Sequence, residues 1–483
     1  MKRSRLIWVL SAVLVLAAAG GGYAWWRTDQ LNRAITAALP PQPDLRGWNQ
    51  ELKDRIAGCE QRARHGPDRL QALEELSRLY HANGFYPEAS RCYQALIRLD
   101  ASNPIWAHRL ATLLAQYGDL AHAIPLWRWV VKNAPQHIQA AIRLGDALLK
   151  DNHLTEADEV YKRALARDPG NPYAQLGLAR VEMARGNWTG ARTMLESAAG
   201  ATNYAIGGDL LVTVYEHLGL TERATALRAV TKASGAFYDI PDPWLDDLYS
   251  DCYDVYRLII YSGTADHSGD LKTALLIAQR AVALGPNDGH AQFNLGTLYQ
   301  QAGEPLKAMA AMKQCIAVLP SFSDAWYQLF ALQRSQGDSA NAIHTLMAGL
   351  QACPDSPGLH LELGRLLAQA GQNDQAIAQF NLAVKLRPQE PDAQLDLAAL
   401  YFKLNEVDKG YAELHAAIEA EPGHPGALTS LAMASIKLGH EAEAIKWLRH
   451  IAYQPRVRPE DRQALDQAFV QQFGHPPDIG PLQ

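Results

Sequence analysis

The chain has 483 residues, 48% of them hydrophobic and 20% charged, a composition that excludes a disordered polymer. Its formal net charge of −6 excludes a global basic field able to recruit nucleic acid. Five cysteines at irregular spacing form neither a disulfide framework nor a zinc pattern.

Lys2, Arg3 and Arg5 precede an uncharged run from Leu6 to Trp26, closed by Arg27. A helix over that run is long enough to cross a hydrocarbon core of about 30 Å. Tyr23, Trp25 and Trp26 stand where aromatic rings favour the headgroup layer. Residues 1–27 are therefore expected to form one transmembrane helix in an inner (cytoplasmic) membrane, with the N-terminus cytoplasmic and the body periplasmic. The alternative is a signal peptide cleaved near Ala17, Ala18 and Ala19, which would release the body into the periplasm. Residues 28–69 read as a short linker ending in Pro40, Pro41 and Pro43, then a capping helix. That helix carries Trp48, Leu52, Ile56 and Cys59 at three- and four-residue spacing and stops at Gly66–Pro67.

A repeat follows. Gly84, Gly118, Asn152, Gly186, Gly219, Gly269, Gly303, Gly337, Gly371, Asn405 and Gly439 are each followed five residues later by Ala or, at Gly410, by Gly. Most steps between them are 34 residues, the length of one helix-turn-helix unit. Each first helix places a large apolar residue at position seven, such as Leu110, Leu144 and Leu363, with a small one after it, such as Ala111, Gly145 and Gly364. The small residue predicts close approach of the second helix, with the Ala of position 20 as its counterpart. Position 15 needs left-handed backbone, which Gly and Asn tolerate best. Pro87 and Pro125 are expected in the first turn of second helices, where a missing N–H costs little. Cys92, Cys315 and Cys353 fall in second helices as small buried hydrophobes.

These residues resemble the tetratricopeptide repeat (TPR) family, most clearly over 289–322, where Leu295, Gly296, Tyr299, Gly303, Ala308 and Pro320 are in register. The resemblance implies an all-α superhelical solenoid of about eleven repeats, with a first array over 70–228 and a second over 255–458. Residues 459–483 are expected to supply a C-terminal capping helix, with Leu465, Phe469 and Phe473 on one face, and a tail.

Residues 229–268 break the beat. Tyr238, Trp244, Tyr249, Tyr253, Tyr256 and Tyr261 alternate there with Asp239, Asp242, Asp246, Asp247, Asp251 and Asp254. From Trp244 onward the stretch reads as a helix continuing into the next repeat, with Asp247 and Asp251 on one face. Two roles stand open: aromatics wedged between the arrays with solvated aspartates, or a partner or ion site at Trp244, Asp247, Asp251 and Asp254. The alternating Asp-x-Asp-x-Asp-Gly loop of a calcium site is absent.

No hydrolase elbow, phosphate loop or His-Glu-x-x-His motif occurs, so neither enzymatic activity nor a metal or cofactor is expected. His108, His122, His137 and His153 are scattered and read as polar surface or groove residues. In the resembled family the first helices line a concave groove that touches bound peptide at inner positions. By register this implies Arg109 and Arg143 at position six and Arg78 and Arg180 at position nine as partner-binding candidates, since Arg suits carboxylates. Asn294, Gln328, Glu362 and Asp396 make the later groove neutral to acidic. The expected function is a membrane-tethered scaffold that binds a protein partner in assembling or regulating a cell-envelope complex. The alternative is a periplasmic accessory subunit for glycan or polymer export, with Trp106, Trp127, Trp129 and Trp188 stacking on sugars.

Overall fold

A computed structural model describes residues 26, 28–199, 205–231, 240–452, 454 and 457–479. Apart from Trp26, the expected membrane segment lies outside the described residues, as do Tyr238 and Asp239. Among the described residues all regular structure is helical, and no helix is long and apolar enough to cross a membrane.

The chain divides into two compact units, residues 1–167 with 240–268, and residues 168–239 with 269–483. In the first unit the helix Gln50–His65 covers three stacked hairpins, Arg69–Ala82 with Tyr86–Leu99, Pro104–Gln116 with Leu120–Asn133, and Ile138–Lys150 with Leu154–Arg167. The second unit opens with the hairpins Pro172–Ala184/Trp188–Ala199 and Ala205–His217/Thr221–Thr231. After Gly269 it runs from Leu271–Leu284 through five further hairpins, the last being Pro425–Lys437/Glu441–Ala452. Helix Pro459–Phe473 ends that stack, burying Leu465 and Phe469 against Leu428, Leu431 and Trp447.

The 34-residue beat has a backbone cause. All eleven position-15 residues adopt positive φ, including Asn152 at 60° and Asn405 at 62°. Gly84 is doubly constrained, because a Cβ there would also lie 2.6 Å from the Arg257 guanidinium. The small residue of position eight has a different partner from the one expected. A Cβ on Gly145 would meet the Tyr161 ring at 2.6 Å, one on Gly364 the Phe380 ring at 2.6 Å, and one on Gly296 the Met312 methyl at 2.7 Å. Those partners stand at position 24, one turn beyond the buried Ala. The same position supplies Tyr93, Trp127, Leu195, Leu346, Leu414 and Leu448, all buried.

Three local expectations are corrected. Residues 28–38 are helical rather than plain linker, because Ile35 finds a fully buried site. Pro125 lies in the second turn of Leu120–Asn133, not the first, so the ladder forfeits a bond to the Ala121 carbonyl. The stretch after Trp244 is no continuous helix but a turn at Pro243–Asp246, a 3-10 turn at Asp247–Asp251 and an extended Cys252, with helix resuming at Val255–His267. Asp254 caps the resumed helix, accepting from the Arg257 amide. All five cysteines are free and buried. Burial pushes the Cys92 thiol up to about 12 and Cys315 to about 11, so both stay protonated and unreactive.

Candidate functional site

The first unit brings together two sets of residues that the sequence leaves apart. Segment 242–254 lies along the first helices of the three hairpins and runs against their order. Asp242 reaches the second and third hairpins, where the Arg143 Nε donates to Oδ2 at 3.1 Å and His108 Nε2 contacts the same oxygen at 2.7 Å. Trp244 stacks on His137 with centroids 3.6 Å apart and an interplanar angle of 9°. Arg109, only 2% exposed, donates from Nε to the Trp244 carbonyl at 2.8 Å and from Nη2 to Asp247 Oδ1 at 2.7 Å. Asp251 then meets Arg78 at 2.7 Å and Arg55 of the capping helix at 2.8 Å. Asn83 holds the backbone at the far end, donating to the Asp251 carbonyl at 2.8 Å and accepting from the Tyr253 amide at 2.6 Å.

Two of the aspartates are thus not left solvated, whereas Asp247 stays exposed at 46% of its side chain. Asp242 is fully buried and Asp251 is 6% exposed. Nor do the carboxylates converge on one point: Asp247, Asp251 and Asp254 go to Arg109, to Arg55 with Arg78, and to the Arg257 amide. A buried carboxylate is costly unless paired, and each of the two buried ones here faces arginine.

His108, His137 and Asp242 place donor atoms within 4.8 Å of one another, so these two histidines are not scattered, whereas His122 and His153 are exposed as the sequence suggests. This is the one described His/Asp grouping of metal-ligand type, and its hydrogen bonding opposes ligation. The Trp127 indole can only donate, and its Nε1 reaches His108 Nδ1 at 3.3 Å. Nδ1 must therefore accept, which places the ring proton on Nε2, facing Asp242. A metal would need that nitrogen bare. The arrangement instead works as a charge network: burial would raise the Asp242 carboxyl, but the contacts from His108 and His137 and the charge of Arg143 hold it well below the usual range.

The same burial makes the unit acid-sensitive. Burial holds His108 below its ordinary value against the pull of Asp242. His81, bonded at Nδ1 to the Tyr93 hydroxyl at 3.2 Å, is driven down to about 3 by burial and then by the charges of Arg109 and Arg257. Both rings are neutral when folded, whereas the unfolded chain takes up protons from about pH 6.5 downward. Stability is therefore full above that pH and is lost as pH falls from 6.5 towards 3. His81 alone is expected to cost about 2 kcal/mol at pH 5 relative to pH 8, with His108 adding in the same direction. Asp242, depressed, keeps its contribution until below pH 3.8. Urea midpoints at the two pH values check this, and His81→Asn should flatten the difference.

The other candidates lie elsewhere. Arg180 is half-buried on Pro172–Ala184 in the second unit. Trp106 and Trp127 are core residues at 2% and 3% exposure, and Trp188 stacks on His217 at 3.7 Å, so these indole faces are taken. In the second unit Glu362 is buried between Arg334 at 3.0 Å and Arg365 at 2.8 Å, and Arg365 also binds Asp396 at 2.6 Å. That stretch is neutralised rather than acidic. Further along lies an open apolar groove of about 660 Å³, lined by Leu395, Phe402, Met433, Leu438 and Leu465 with Lys437 beside them. Sequence reading missed Arg55 and Asn83, and it gives His108 and His137 only as polar surface or groove residues. His108 adjoins Arg109 in the repeat register, a signal that was available; Asn83 and Arg55 had none.

Comparison with known proteins finds sequence similarity to helical-repeat chains. Profiles described as tetratricopeptide repeat or TPR repeat match residues 74–138, 108–172, 148–203, 289–321 and 364–405. Cellulose synthase 1 operon protein C of Komagataeibacter xylinus is 29% identical over 163 residues, 32% of this chain. The match spans only 12% of that relative's length. Among solved structures, yeast Tom70 aligns at 14% identity over 83% of this chain and 96% of its own, with a TM-score of 0.41. Pseudomonas aeruginosa pilF aligns at 15% identity over 46% of this chain and 98% of its own, with a TM-score of 0.38.

Proposed function

We propose that this chain, which carries tetratricopeptide repeats, is a protein-interaction scaffold whose first-unit groove binds an acidic, aromatic protein segment. One observation carries the reading. The face built from the capping helix and three successive first helices holds a segment of just that chemistry, the chain's own Asp242–Asp254, through Arg55, Arg78, Arg109 and Arg143. Arginine forks give such a groove its preference for carboxylates, and His137 offers a flat ring for an indole. We further propose that residues 1–27 tether the scaffold to an inner membrane with the repeats on the periplasmic side, where it helps assemble or regulate an envelope complex. Tethering would raise its effective concentration near a membrane partner.

A second reading, an accessory subunit for export or modification of a glycan, is favoured by the likeness to a protein named for a cellulose synthase operon. It would need sugar-stacking faces other than Trp106, Trp127 and Trp188, which are already occupied. A crosslinking pull-down from native membranes separates the two. Under the first reading, envelope proteins co-purify with the chain and are lost on Arg109→Glu with Arg143→Glu. Binding on a glycan array with no protein partner would overturn it.

A further inference from the structure

We propose that Asp242–Asp254 is an internal ligand, and that a partner segment with carboxylates four to five residues apart and an indole beside the first must displace it. This rests on reading the groove as protein-binding and adds what regulates it and what it selects.

Three features lead there. The segment's contacts are those of a bound peptide: groove side chains reach its carboxylates at 242, 247 and 251, its Trp244 carbonyl, and its backbone at Asp251 and Tyr253. The hairpins beneath bury residues of their own, Leu73, Leu76, Tyr80 and Tyr93 in one and Leu110, Leu113, Trp127 and Val130 in the next. Removing the segment would take the Asp247 carboxylate and the Trp244 carbonyl from Arg109, 3% exposed at its side chain, and the Asp242 carboxylate from Arg143, 13% exposed. An empty groove is therefore the least favourable state. The stable alternatives are the segment itself or an acidic replacement. Because the segment is covalently attached, it competes at millimolar effective concentration, so a weakly matched peptide cannot enter.

The test uses full-length protein and a fluorescent peptide of residues 240–254 carrying Cys252→Ser, followed by anisotropy. Two variants release the groove: one with 241–250 replaced by a Gly/Ser linker of equal length, the other with Asp242→Ala and Trp244→Ala. Both are expected to bind the peptide at least about tenfold more tightly than the intact chain does. Adding Arg109→Glu, raising salt, or scrambling the peptide order should abolish the gain. Equal affinity for intact and released chains would overturn the internal-ligand proposal while leaving the groove reading in place. No binding to released variants that keep their helical circular dichroism and cooperative melt would remove the groove reading as well. Loss of helical signal in both variants would show the segment to be part of the core, and would equally overturn the proposal.

Discussion

Asp242→Ala is expected to weaken docking of segment 240–254 by about 3–5 kcal/mol, the usual cost of deleting one partner of a buried ion pair. The size follows from what the substitution leaves behind. Arg143 Nε loses its acceptor at 3.1 Å, and the Nε2–H of His108, which is fully buried, loses its acceptor at 2.7 Å. The Trp244 amide loses its cap on Asp242 Oδ1 at 3.2 Å. Asp242→Asn should cost less, since an amide oxygen can still accept from His108. Hydrogen exchange read peptide by peptide is the right measurement, because repeat arrays need not unfold in one step. Protection should fall first over 242–254, and the hairpin cores should follow only if the segment is integral to them.

The second large effect is expected in the other unit, at the crossing of Pro357–Gln369 with Asn373–Leu386. Phe380→Ala should cost about 3–5 kcal/mol, because the ring is 1% exposed and its loss opens a cavity. Gly364→Ala should cost about 1–3 kcal/mol by overpacking, since the new Cβ would stand 2.6 Å from that ring. The pair must be non-additive. In a Phe380→Leu background the smaller side chain makes room, and the penalty of Gly364→Ala should shrink or vanish. Loss of protection in peptides covering 357–386 measures each arm of the cycle, and additive costs would show that the two residues do not share this contact.

These outcomes also mark what the sequence could and could not reveal. The turn residues were legible because a backbone at φ near +60° to +85° restricts the choice to Gly and, twice, Asn, so chemistry and period coincide. The partner of the small position-eight residue was legible in principle. Tyr93, Trp127, Tyr161, Met312 and Phe380 recur four residues after each Ala, but the Ala drew attention first. The candidate arginines and aspartates were both singled out, yet as separate sites. Their union depends on contacts spanning 99 residues for Arg143 with Asp242 and 138 for Arg109 with Asp247, which no local pattern encodes. His108 reads only as a polar surface or groove residue, because a single histidine on a helix carries no sign of the indole below it or the carboxylate above it.

Occupancy of the groove is the central claim, and backbone exchange in the intact chain tests it most directly. The Tyr253 amide, which donates to Asn83 Oδ1 at 2.6 Å, should exchange far more slowly than open chain, and its protection should disappear with Arg109→Glu and Arg143→Glu. Exchange of 242–254 at open-chain rates in the unaltered protein would contradict the account.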